Sequence, residues 1–172
     1  MTRPTISAAE ADTAAADRAP RIGDFLDPRR VATDLEVSSR KRLFERMAEL
    51  VSSHPDAPGL DDVLGTLTRR EKLGCTGIGR GIALPHGRIQ GLAEPVVAVA
   101  RLKHAIDYQA PDGEPVWLVV CLLVPVEATE THLKILAALA AHFSAPDFPE
   151  QLKRCRCAEQ LAAHLGGIEV GG

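Results

Sequence analysis

No stretch of this chain stays apolar long enough to cross a membrane as a helix. The longest uninterrupted run, Val116 to Val124, falls far short of the ~18 residues such a span needs, and the N-terminus lacks the apolar core of a signal peptide. Direct membrane insertion is therefore not expected, and the protein reads as soluble and cytoplasmic. A long basic run is missing too: 20 Lys plus Arg stand against 23 Asp plus Glu, a formal charge of -3, which argues against nucleic-acid binding. The cysteines, Cys75, Cys121, Cys155 and Cys157, form no C-x-x-C pair, so neither a zinc knuckle nor a thioredoxin-like redox pair is spelled out. The histidines, His54, His86, His104, His132, His142 and His164, show no H-E-x-x-H or H-x-H spacing, so no metal is expected. There is no internal repeat, and 172 residues suit one domain with a full core.

The organisation follows from the apolar periodicity. Residues 1–20 hold one large aliphatic side chain, Ile6, too little to dock, and read as a mobile tail. The domain proper is expected over 21–168, with a short glycine-rich end at 169–172. Ser38 or Ser39 is placed to cap a helix carrying Leu43, Phe44, Met47, Leu50 and Val51 at helical spacing. A second helix after Pro58 carries Leu60, Val63, Leu64 and Leu67, with Gly74 placed to end it in the left-handed conformation. Short β-branched runs then predict strands at Ile82–Leu84, Val96–Leu102 and Val116–Val124, with a turn at Pro111-Asp112-Gly113. The last two runs are almost continuously apolar, so helices should cover both faces of the sheet. A further helix, capped by Thr129 or Thr131, places His132, Ile135, Leu136, Leu139 and Phe143 on one face, and a helical C-terminal stretch follows. The sum is a single three-layer α/β domain, a mixed sheet flanked by helices, in the order helix-helix-strands-helix-helix.

The chemistry concentrates in Arg70 to Arg88, which holds five glycines and one histidine. Gly74-x-x-x-x-Gly79 begins like a nucleotide P-loop, but Arg80 and Gly81 follow where that motif needs Lys and Ser or Thr. The Rossmann pattern fails as well, since Ile82 stands where a third glycine should follow Gly77 and Gly79. A nucleotide-dependent kinase is thereby disfavoured. What remains is a loop of Thr76, Gly77, Gly79, Gly81 and Gly87 whose backbone could cradle a phosphate, beside His86. Histidine suits phosphoryl carriage because its ordinary pKa of ~6.5 leaves a neutral, nucleophilic ring nitrogen at cytoplasmic pH. Phosphoryl transfer mainly demands positioning and charge neutralisation, and Arg70, Arg80 and Arg88 are candidate electrostatic partners. From the residues alone, a structural histidine in a turn is the competing reading of His86.

The segment G-C-T-G-I-G-R-G-I-A-L-P-H-G-R, Gly74 to Arg88, resembles the phosphorylation motif of the mannitol/fructose-type IIA family of the bacterial phosphotransferase system, closest to its nitrogen-related branch. The similarity spans roughly residues 20 to 166. It includes Arg70-Glu71-Lys72-x-Gly74, Ala105-Ile106-Asp107-Tyr108 with Asp112-Gly113, and Leu122-Leu123-Val124-Pro125 leading to Thr131-His132-Leu133. The resemblance implies the family's mixed sheet with helices on both sides, His86 as the phosphorylated histidine, and Arg70 and His132 as its neighbours. His132 also follows a candidate cap at a helix amino end, whose partial positive charge disfavours imidazolium and attracts phosphate; a half-buried core histidine is the alternative. Cys75 stands where relatives usually carry serine, which puts a hydroxyl donor there in doubt. His104 matches no family motif.

The implied function is a regulatory phosphocarrier of the nitrogen-related system, a phosphotransferase component with a phosphohistidine intermediate and not a free-standing multiple-turnover enzyme. It would take phosphate from a histidine phosphocarrier protein, act on regulatory target proteins, and need no cofactor. The alternatives are a sugar-specific IIA relaying phosphate to a IIB component and a non-catalytic binding module of the same fold. No IIB-like segment follows in this sequence, which favours regulation.

Overall fold

A computed structural model describes residues 18–171. Five α-helices, α1 (Arg40–Ser52), α2 (Leu60–Leu73), α3 (Thr129–Ser144), α4 (Asp147–Arg154) and α5 (Ala158–Gly166), surround one sheet of six strands. The strands are β1 (Leu26–Leu35), β2 (Gly77–Gly79), β3 (Ile82–Ala83), β4 (His86–Ile89), β5 (Val96–Ile106) and β6 (Val116–Pro125). Their order is β1-β5-β6-β3-β2, with β4 also on β6. The β5–β6 and β2–β3 pairs are antiparallel, while β1–β5, β3–β6 and β4–β6 are parallel.

The near-continuous apolar runs became the two central strands, because a strand covered on both faces can bury every residue. Alternate residues go to opposite halves of the core. Val97, Val99, Leu118, Val120 and Leu122 pack with Ile135, Leu139, Leu152, Leu161 and Leu165 of α3, α4 and α5. Ala98, Ala100, Val119, Cys121 and Leu123 pack with Leu43, Met47, Val63 and Leu67 of α1 and α2. This is the expected three-layer arrangement. Among the described residues, no helix is long and apolar enough to cross a membrane.

Several local expectations are corrected. An unforeseen strand, β1, precedes α1; its charged stretch Pro28-Arg29-Arg30 hides it in the sequence, but it is a sheet edge, where proline costs no ladder bond, and its register shifts between Leu26 and Val31. Ser39 caps α1, accepting from the Arg42 amide at 3.2 Å. Gly74 ends α2, but at φ 162°, ψ 147°, an extended and not a left-handed conformation. Neither Thr129 nor Thr131 caps α3; Ala128 is the cap residue and Thr129 the first helical one. The C-terminal stretch divides into α4 and α5. At the ends of the described chain, Val170 is buried and its amide donates to the Pro20 carbonyl at 2.7 Å. The tail expected over 1–20 lies, up to residue 17, outside the described residues.

Candidate functional site

His86 opens β4, paired with Leu122 at the sheet margin. Gly87 next to it faces α2 so tightly that a Cβ there would lie 2.3 Å from the Thr66 methyl. By strand alternation the His86 side chain projects to the other side, toward α3. Its ring is half-buried and has both nitrogens engaged. Nδ1 lies 2.7 Å from the Leu84 carbonyl, and Nε2 lies 3.2 Å from Nε of Arg70. Arginine stays protonated and can only donate, so Nε2 accepts and Nδ1 carries the proton that goes to Leu84. The imidazole is therefore held neutral, with its lone pair at Nε2. Burial foremost, and the Arg70 charge after it, push its pKa below the ordinary value.

Arg70, in the last turn of α2, also donates from Nη1 to the Gly74 carbonyl at 2.9 Å. One planar guanidinium thus spans the chain just past the helix and the histidine. From the opposite layer, His132 in the first turn of α3 presents its ring edge-on to His86, with centroids 5.3 Å apart. His132 is buried, its Nδ1 has no hydrogen-bond partner among the described residues, and its pKa falls to about 4, through desolvation first, then through repulsion from His86 whenever that ring is protonated, and from the charges of Arg88 and Arg70. Burial and neighbouring charge thus add to the positive amino end of the helix, where His132 lies in the first turn, in keeping its ring neutral.

The other expected residues are distributed differently. Thr76 is buried, and its amide and hydroxyl both donate to the Glu71 carboxylate. Neither is free for a phosphate. The Gly77 amide points to Cys75 Sγ at 3.4 Å, so the thiol takes the place of an acceptor hydroxyl. Gly79, Arg80 and Gly81 all have positive φ, 93°, 57° and 79°, and make the turn of the β2–β3 hairpin. That turn precedes Ile82, which pairs with Leu118, four residues or roughly 13 Å along β6 from the partner of His86. A Cβ at Gly81 would lie 2.2 Å from the Trp117 ring. Gly79 and Gly81 serve a turn and close packing, whereas Gly87 lies directly beside the histidine in β4. Arg80 is occupied far away, donating to the Ser144 carbonyl. Arg88 follows His86 in β4 and adds positive field at His132. Among the described residues, no three metal-ligating side chains cluster.

Three residues behind the site have no role that the sequence displays: Arg40, and also Glu71 and Tyr108, which stand in the segments that carry the resemblance. Tyr108 is fully buried, its hydroxyl 2.7 Å from Thr76 Oγ1 and 3.3 Å from Glu71 Oε2, and burial holds its phenol well above the usual range. Arg40 donates to the Tyr108 carbonyl at 3.1 Å and reaches Glu71 at 3.5 Å. A signal for Glu71 existed: it stands four residues after Leu67 and eight after Val63 on the buried stripe of α2, an ionisable group on a core-facing helix face.

With this geometry in view, the kinships of the chain are informative. Over 151 residues it is 39% identical to the nitrogen regulatory protein of Pseudomonas aeruginosa, covering 88% of this chain and 98% of that one. The crystal structure of the nitrogen regulatory protein IIA-Ntr from Neisseria meningitidis superposes with a TM-score of 0.80 at 41% identity, covering 84% of this chain and 98% of the other. Mannitol IIA from Escherichia coli shares the fold at a TM-score of 0.67 and 15% identity, over 81% and 97% of the two chains. Residues 24–166 match the family described as phosphoenolpyruvate-dependent sugar phosphotransferase system, EIIA 2, and the chain belongs to that family.

Proposed function

We propose that this protein accepts a phosphoryl group on Nε2 of His86 from a histidine phosphocarrier protein and acts as a regulatory component of the nitrogen-related phosphotransferase system. The observation that carries the reading is the opposed anchoring of one imidazole, Nδ1–H on the Leu84 carbonyl and Nε2 facing Arg70. Nε2 attacks the phosphorus of the donor's phosphohistidine; the new N–P bond forms as the donor's breaks. The ring becomes a phosphoimidazolium, and the Leu84 carbonyl, already accepting from Nδ1–H, stabilises the positive charge. Arg70 moves its hydrogen bond from the nitrogen to the phosphoryl oxygens, where charge spreads in the loose transition state. Neutral His132 has an unpartnered ring nitrogen suited to support the same group, and Gly87 keeps the backbone close beside it.

A protein donor is supported by the surroundings. Leu73 next to Gly74 is 85% exposed and Leu133 next to His132 is 62% exposed, so apolar surface flanks the acceptor on two elements, as protein docking sites do. The regulatory part of the reading rests on the relatives named for nitrogen regulation, which match over nearly their whole length.

The test is incubation with the energy-coupling phosphotransferase enzyme, each candidate phosphocarrier and phosphoenolpyruvate. The wild type should acquire an acid-labile, base-stable phosphate and His86→Ala none. Phosphate on His86→Ala would refute the acceptor assignment. Onward transfer to a sugar-specific IIB component would replace the regulatory role with a sugar relay, and an unphosphorylated wild type would leave a binding module.

A further inference from the structure

Glu71 sits in the last turn of α2, where the helix dipole disfavours negative charge, and its side chain is only 5% exposed. A buried carboxylate there weakens the helix it belongs to unless donors compensate. Donors converge on it from three other segments: the amide (3.1 Å) and hydroxyl of Thr76, the Tyr108 hydroxyl (3.3 Å) and the Arg40 guanidinium (3.5 Å).

The position it fixes is that of the connection between α2 and β2, and both anchors of His86 depend on that connection. On one side, the Thr76 carbonyl accepts from the Leu84 amide at 2.9 Å, and the Leu84 carbonyl accepts from Nδ1 of His86 at 2.7 Å. On the other, the Gly74 carbonyl holds Nη1 of Arg70 at 2.9 Å while Nε of the same guanidinium addresses Nε2 of His86 at 3.2 Å. Arg70 and Glu71 are consecutive: one side chain reaches out to the histidine and the other reaches inward to fix the chain segment that holds it.

We propose that Glu71 is a positioning residue for phosphoryl acceptance, holding the Gly74–Thr76 segment so that the Leu84 carbonyl sets the tautomer of His86 and Arg70 meets its Nε2. The role rests on the phosphoacceptor reading of His86. It makes Thr76 and Tyr108 parts of the same device, with Thr76 the shared joint.

The experiment pairs nitrogen NMR of the His86 ring with single-turnover phosphorylation by the donor system. In the wild type the Nδ1–H tautomer dominates. In Glu71→Gln, nearly isosteric, and in Thr76→Val, which removes one donor only, the ring should become a mixture of tautomers. The phosphorylation rate should fall by about 10- to 100-fold, the scale of a small misplacement of a reacting group, with the apparent affinity for the donor changed less. Thr76→Ser, which keeps hydroxyl and amide, should restore both readouts. If Glu71→Gln or Thr76→Val loses thermal stability while the ring keeps the wild-type tautomer and rate, Glu71 is structural only and the proposal fails. The ring spectra need no phosphate. A wild type that is never phosphorylated on His86 therefore overturns the function alone, and the tautomer comparison still decides for or against the positioning role.

Discussion

His132 occupies the fourth position of α3 with its ring roughly perpendicular to that of His86, and its state is set by what surrounds it. Its pKa falls from 6.5 in the unfolded chain to about 4 in the fold. Between those values the unfolded chain binds a proton that the folded one refuses, so the contribution of His132 is fully present above about pH 6.5 and drains away as pH falls toward 4. His86 is shifted in the same direction and adds to the same slope. We expect the Tm of the wild type to drop more steeply between pH 7 and 4.5 than that of His132→Phe. Parallel slopes in thermal melts would mean that the histidine is solvated and normal. At this scale the sequence was partly legible. Its motif resemblance marked His86, Arg70 and His132, which the structure gathers at one place. Glu71 and Tyr108, 37 positions apart in the chain, form a network that no spacing displays, because burial of a carboxylate and its donors is a property of folded surroundings.

At the level of elements, the glycine-rich segment separates into two pieces with different work. The Gly79–Gly81 turn belongs to the β2–β3 hairpin and lies against Trp117, whose Nε1 donates to the Arg80 carbonyl at 3.1 Å. Gly87 is where α2 meets β4. We therefore expect opposite outcomes from two alanines. Gly81→Ala, strained at φ 79° and colliding with Trp117, should cost more than about 1 kcal/mol and shift Trp fluorescence. It should leave the phosphorylation rate of the folded protein within about twofold, as separated sites behave independently. Gly87→Ala should cost about 1–3 kcal/mol by overpacking and also slow phosphorylation, since the colliding methyl sits beside His86. Adding Thr66→Ser, which removes that methyl, should recover stability and rate; additive losses in the double-mutant cycle would show that contact with Thr66 is not the cause. The helices and the two long strands were readable because each carries a sustained apolar period. The edge strand β1 was not: of its residues only Leu26 and Val31 are buried, and it tolerates Pro28 because no strand among the described residues pairs with its outer side.

Across the molecule, one sheet serves both halves of the core, and among the described residues His86 sits where a strand margin, the end of α2 and the start of α3 meet. Phosphorylation would add ~1.5 to 2 negative charges to a chain of formal charge -3, at a position packed between two helical layers of one closed core. We expect amide shifts on phosphorylation confined to residues near 70–76, 84–88 and 128–133, with the remaining spectrum unchanged, while the set of proteins captured by the phosphorylated form differs from that captured by His86→Ala. Shifts spread through α4, α5 and β1 would replace this local electrostatic switch with a global rearrangement. The sequence by itself determined the layers, because periodicity is a local property that survives without coordinates, and its motif resemblance singled out His86, Arg70 and His132 as candidates. Only the tertiary structure decided which nitrogen of His86 carries the proton, which glycines stand near it and which carboxylate is buried behind it, because each depends on how the end of α2, the β3–β4 segment and Tyr108 are brought together in space, which no spacing in the sequence specifies.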